Sequence, residues 1–114
     1  MRKIERDMNR AIRAGRNFSN SNTTVQTTTF FNSQDVYCEE SKVFLHGNHI
    51  ATVTKNSIIL FDGGWQSNTT KSRLNALLDE FSYGMRVFQK NWEWSVGYKN
   101  VSEDFVNGME LAID

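Results

Sequence analysis

A chain of 114 residues can close one hydrophobic core but not two. Its 13 Lys and Arg side chains balance 13 Asp and Glu, which argues against a protein that coats nucleic acid through its overall field. No run approaches the roughly 20 apolar residues of a bilayer span, and the lone cysteine, Cys38, excludes an intrachain disulfide, so the chain reads as intracellular, with no membrane partner.

The charge is unevenly placed. Residues 1–16 hold six basic side chains against two acidic ones, and the remainder is acidic in compensation. This stretch reads as a basic amphipathic helix: at about 100° per residue, Ile4, Met8, Ala11 and Ile12 fall on one side and Arg2, Arg6, Arg10 and Arg13 on the other. Gly15 suits its end, since glycine enters the left-handed region without strain. Residues 17–35 read as a polar linker running into an edge strand over Thr24 to Phe31, which could pair two subunits.

The pattern then turns to β. "KVFLHGNHIATVT" is two apolar runs split by Gly47-Asn48, a pair suited to a two-residue II′ turn, and Lys55-Asn56 separates the next two runs. Lys-Asn recurs as a turn at Lys90-Asn91 and Lys99-Asn100, asparagine tolerating positive φ. Leu74, Leu77, Leu78 and Phe81 recur at helical spacing, so residues 70–81 form a second helix, capped by Asn68 or Thr69. A second hairpin follows, with Val87, Trp92, Trp94 and Val96 on one face, and Gly108 to Ile113 ends the chain as a short strand. The expected fold is α+β: one domain over residues 1–114, its core in 36–114, with a mainly antiparallel sheet of about five to seven strands.

Three groups of residues invite a functional reading. In "FDGGWQSNTTKSRLNALL" the second helix begins amid hydroxyls and cations. Free amides there, with Thr69, Thr70, Lys71 and Arg73, suit an anion, Gly63 and Gly64 allow close approach, and Trp65 could stack on a base. Thr70 stands where a P-loop needs glycine, so no NTPase is implied. The plainer reading is a junction, with the glycines turning the chain and Trp65 plugging the core; two cations in a first helical turn oppose the macrodipole and keep the anion reading open.

If both turns hold, His46, His49 and Asp62 line up across three strands, close enough for acid-base chemistry or a shared metal, although a third strong ligand is missing. The basic stripe of Arg2, Arg6, Arg10 and Arg13 could meet nucleic acid or an acidic protein surface; plain solvation is the commoner fate. Trp92 and Trp94 read more readily as core than as a stacking platform. No nucleophile-base-orienter set is visible, which argues against an enzyme, and nothing calls for a cofactor.

With "LHGNHIATV", "GGWQSNTTKSRLNALL" and "VFQKNWEWSV" in view, Leu45 to about Val96 resembles a group of small uncharacterised tailed-bacteriophage proteins. These share a G-N-x-I-A hairpin followed by G-W-x-[ST]-x-T-T-K-x-R-L-N. The resemblance implies a protein made in the cytoplasm of an infected bacterium, and carries no functional residue with it. It favours a non-enzymatic protein that binds a host or antiviral-defence component, by masking a protein surface or by holding a phosphate- or nucleotide-like anion. A nucleic-acid-binding module using the first helix is the alternative; a hydrolase using a metal or the histidines comes third.

Overall fold

A computed structural model describes residues 1–98 and 100–113. The chain begins with helix α1 (Lys3–Arg13), followed by five strands: β1 (Phe18–Asn20), β2 (Thr23–Phe31), β3 (Tyr37–Leu45), β4 (Asn48–Thr54) and β5 (Ser57–Leu60). After helix α2 (Asn68–Phe81) come β6 (Arg86–Lys90), β7 (Glu93–Tyr98), β8 (Val101–Asp104) and β9 (Met109–Ala112). The fold is α+β, as the sequence pattern implies, with nine strands among the described residues. All pair antiparallel, in a six-stranded sheet ordered β1-β2-β3-β4-β5-β9 and a three-stranded sheet ordered β6-β7-β8.

Strand register explains the core. Val25, Val43, Ala51 and Leu60 stand in one cross-strand row, and Ser41, Val53, Ile58 and Leu111 in the next, all buried. Both rows feed one cluster with Met8 and Ile12 of α1, Leu74, Leu77 and Leu78 of α2, and Val87, Trp94 and Val96 of the smaller sheet. Alternation along a strand and a three-to-four spacing along a helix place these side chains on one side of each element. The smaller sheet is fastened to α2 by Asn75, whose amide donates to the Val87 carbonyl (2.9 Å) and accepts from the Val87 N–H (2.7 Å).

Residues 17–35 are more ordered than a linker. β1 turns tightly back onto β2 through Ser21, at φ 53°, and pairs Phe18 with Val25. The Asn- and Thr-rich composition that suggests a linker here supplies turn residues and β-branched strand residues instead. Gly15, at φ 67°, ends α1 as expected: its N–H bonds the Ile12 carbonyl (3.1 Å) and the Arg16 N–H the Ala11 carbonyl (2.9 Å), the paired bonds of a Schellman motif. Two turns differ from expectation. The first hairpin turns at His46-Gly47, both at positive φ, because Ile50 is an extra, bulged residue that moves the register by one. The β6–β7 hairpin turns at Asn91-Trp92, which removes Trp92 from the strand face. Lys55-Asn56 is a turn as expected, without positive φ, while the Lys99-Asn100 turn falls partly outside the described residues.

One polar cluster lies within this apolar interior. Glu5 of α1 and Arg73 of α2 are each 3 % exposed, with Glu5 Oε2 2.8 Å from Arg73 Nη1. The other guanidinium nitrogens donate to Thr23 Oγ1 (3.0 Å) and Asn22 Oδ1 (3.2 Å) at the β1–β2 turn. Glu5 Oε2 also accepts from Ser72 Oγ (2.6 Å), and Oε1 accepts from the Arg2 N–H (3.3 Å), as the third residue of a capping box does. Every polar atom of the pair thus meets a partner, which offsets the cost of taking two charges out of water. Arg73→Ala leaves Glu5 buried and unpaired, and should destabilise the protein by about 3–5 kcal/mol. A Glu5→Met/Arg73→Met double variant should lose clearly less, as read from urea unfolding midpoints at unchanged m-value.

Candidate functional site

The loop from Asp62 to Ser67 joins β5 to α2 and is held by its own hydrogen bonds. Asp62 Oδ1 accepts from the Gly64 N–H (2.7 Å) and Oδ2 from Gln66 Nε2 (3.4 Å), while the Asp62 N–H donates to Asn107 Oδ1 (2.8 Å). The Trp65 carbonyl accepts from the Ser67 N–H (3.0 Å) and from the Thr70 hydroxyl (3.4 Å). Gly63, at φ 70°, is required twice over, since a Cβ there would also press to 3.2 Å from Ile50 Cγ2 and 3.3 Å from Asn48 Cβ. Gly64, at φ 86°, turns the chain in open space. Ser67, rather than Asn68 or Thr69, caps α2: its Oγ accepts from the Thr70 N–H at 3.1 Å, the reach of a third-residue cap.

This architecture separates the residues grouped as an anion site. Arg73 turns inward to Glu5 and Ser72 is bonded to the same carboxylate. Thr70 is buried and bonded to Ser67 Oγ, and Thr69 and Lys71 are half-buried on the first turn of α2. Lys71 makes no ion pair among the described residues and is the one cation left near the helix start. Trp65 neither plugs the core nor lies flat on the protein; it is 76 % exposed. Beside it is a depression of about 330 Å³ whose lining includes His46, Asn48, Asp62, Gly63, Ser67 and Thr70. Asp62 places a carboxylate at that depression, and neither Lys71 nor Arg73 lines it.

The row of His46, His49 and Asp62 does not form. The bulge at Ile50 sets His49 opposite Phe44, His46 lies in the turn, and Asp62 lies beyond the end of β5. His49 stacks between Phe44 (5.5 Å) and Phe61 (4.5 Å). Its Nε2 is 2.9 Å from the Ala51 carbonyl, which can only accept, so the ring proton belongs on Nε2; Thr52 Oγ1 is 2.8 Å from the same nitrogen. No group of three or more His, Cys, Asp or Glu side chains among the described residues is placed to share a metal ion.

On α1, Arg2, Arg6, Arg10 and Arg13 are all exposed. Arg13 is nevertheless committed to the fold: it pairs with Glu80, bonds the Glu80 carbonyl (3.0 Å) and lies over the Phe81 ring at 5.0 Å. Asp7 accepts from Lys3 at 2.8 Å and lies 3.8 Å from Arg10. The Lys3 hydrogen bond holds the Asp7 carboxyl below its ordinary range, so a negative charge stays within the basic stripe. Trp94 is buried edge-on to Phe105 at 5.3 Å, whereas Trp92 is 90 % exposed at φ 69°. Holding a tryptophan in that left-handed conformation costs about 1–2 kcal/mol. No sequence pattern marks Trp92 as a turn residue; the repeated Lys-Asn pair misplaces the turn by one.

A family model for the Kyanoviridae Gp96 protein matches residues 1–112. The chain belongs to that phage family. The Kyanoviridae Gp96 match takes in α1 and β9 as well as the Leu45–Val96 segment. No curated protein and no solved structure matches the chain. Among the described residues, no helix is long and apolar enough to cross a membrane.

Burial is the main reason that His49 has a pKa lowered from 6.5. The unfolded chain therefore takes up a proton before the folded one does, and His49's contribution to stability, complete above about pH 6.5, is lost as the pH falls below it. Melting temperature should drop between about pH 7.5 and about pH 5.5, and the drop should be smaller in His49→Phe than in the parent, by differential scanning calorimetry.

Proposed function

We propose that this member of the Kyanoviridae Gp96 family is a non-enzymatic binding protein. It acts in the cytoplasm of the infected bacterial host, on a host or antiviral-defence protein, by masking part of that protein's surface. The observation that carries this reading is Trp65. An indole three-quarters exposed on a loop fixed by its own hydrogen bonds is a rigid aromatic anchor beside a shallow depression lined by Leu45 and Ile50 as well as by polar residues, and such anchors dominate the energetics of protein interfaces. Preordering of the loop lowers the entropy lost on binding. Trp92 supports the same reading from a second tip, since strain at an exposed position is kept where a side chain has work outside the fold.

Holding a phosphate- or nucleotide-like anion is the weaker form of the proposal. It would rest on Lys71 and the helix amides, because Arg73 is engaged by Glu5 and Asp62 faces the depression. The nucleic-acid alternative likewise retains only part of its stripe, with Arg13 engaged by Glu80 and Arg10 near Asp7.

Affinity capture of a tagged chain from host cells, quantified against Trp65→Ala and Lys71→Ala, tests the reading. A host protein retained by the parent should be weakened at least about thirtyfold by Trp65→Ala, the effect of losing a hot spot of about 2 kcal/mol, and retained by Lys71→Ala. Capture indifferent to Trp65→Ala, or inorganic phosphate retained by the parent and lost in Lys71→Ala, would overturn surface masking through this loop.

A further inference from the structure

We propose that the protein pairs with a second copy of itself through the outer edge of β2, about a two-fold axis passing beside Phe30. The inference starts from where the backbone of β2 points. In an antiparallel strand the N–H and C=O of one residue face the same neighbour, and successive residues alternate. The Asn22 carbonyl accepts from His46 and the Asn32 N–H donates to the Val36 carbonyl, so even-numbered residues of β2 face β3. Odd-numbered residues face outward. Thr23 and Val25 lie within the β1 pairing, and the Thr27 N–H is taken by Asn17 Oδ1 at 2.8 Å. Thr29 and Phe31 are left, with outward backbone groups that no described residue meets.

The other sheet edges are guarded. Asn75 occupies the outer groups of Val87 on β6, β8 carries Glu103 and Asp104, β9 has four residues including Glu110, and β1 has three. Short length, charge and side-chain cover are the usual means of preventing strand addition. β2 has none of them beyond Thr27: from Asn17 to Gln34 the chain holds no charged residue and no proline.

The open stretch is complementary to itself. Antiparallel pairing centred on Phe30 sets Thr29 opposite the second copy's Phe31 and Phe31 opposite its Thr29, so each outward group meets a partner. Phe30 then faces its own counterpart at a non-hydrogen-bonded site, where side chains approach most closely and aromatic pairs stabilise a sheet. The partner strand runs out as it reaches Thr27, where Asn17 already caps the edge. No like charges are brought together, because the strand has none.

The apolar area is of the right size. At the β2–β3 tip, Phe30, Phe31, Val36 and Tyr37 are 41 %, 68 %, 52 % and 60 % exposed, which leaves on the order of 400 Å² of largely apolar surface per chain. Two such tips together with the joined strand edges approach the roughly 1,200 Å² at which specific interfaces begin. A two-fold pairing uses the same edge of β2 on both copies, so assembly closes at two.

Sedimentation velocity and native mass spectrometry of the full chain at micromolar concentrations test this directly. The parent should be dimeric. Thr29→Pro removes an N–H that faces away from β3, so the β2–β3 ladder is intact and the dimer should weaken at least about tenfold. Thr29→Lys, which sets cations close together across the axis, should do the same, with far-UV circular dichroism of both variants unchanged. In a Cys38→Ser background, Phe30→Cys should form a disulfide-linked dimer under mild oxidation, since facing residues at such a site have Cα atoms about 4.5 Å apart. A parent that stays monomeric overturns the proposal, as does a dimer indifferent to both Thr29 variants. Amide protection of Thr29 and Phe31 only in the presence of a host protein overturns it too, showing a foreign strand at this edge.

Discussion

The Glu5–Arg73 pair is the contact on which the relative placement of α1, α2 and the β1–β2 hairpin depends. It joins residues 68 positions apart, and its remaining hydrogen bonds reach the β1–β2 turn and the capped end of α1. A buried pair of this kind contributes less net stability than an apolar pair of the same size would, but breaking half of it is expensive. Its value lies in register. Packed apolar stripes tolerate sliding along one another, whereas a guanidinium with three separate acceptors fits one arrangement of the helices only.

That contact also decides what the start of α2 can offer a ligand. A helix N-terminus with Lys71 and Arg73 would be cationic if both faced solvent; with Arg73 turned to Glu5 and Asp62 at the neighbouring depression, the local field is close to balanced. The loop's most exposed asset is then a tryptophan, not a charge. The proposed masking of a protein surface therefore rests on the indole, and the weaker anion reading on Lys71 alone.

Much of the fold is legible in the residues. The helical spacing of Met8, Ala11 and Ile12, the Leu74 to Phe81 stripe, Gly15 as a helix end and Lys55-Asn56 as a turn all come from local chemistry that tertiary contacts reinforce. What escapes is what depends on partners distant in sequence. The β1 strand has three residues and no periodic signature, and the bulge at Ile50, which undoes the histidine row, leaves no mark in composition. The buried ion pair was partly visible: Glu5 shares a stripe with Met8 and Ile12, and Arg73 stands four residues before Leu77 on the apolar side of its helix. Opposite charges on two apolar stripes are a sign that they meet inside, and that sign outweighs the proximity of Arg73 to a helix N-terminus. Trp65 could not be assigned by hydrophobicity alone, because a tryptophan beside two glycines suits a core plug and an exposed anchor equally.

The attachment of the smaller sheet through Asn75 has a kinetic meaning. The two sheets share no ladder, so β6, β7 and β8 are joined to the rest by the packing of Val87, Trp94 and Val96, the Arg86–Asp79 ion pair and the side-chain amide of Asn75. Opening of such a unit breaks no rung of the six-stranded sheet but exposes Val87, Trp94 and Val96. Its amides would exchange with solvent on a shorter timescale than those of Val43 or Ala51, and Trp92 would sample a wider arc of orientations than Trp65. The molecule thus holds one indole on a loop braced by side-chain hydrogen bonds and one at the tip of a sheet that shares no ladder with the larger one.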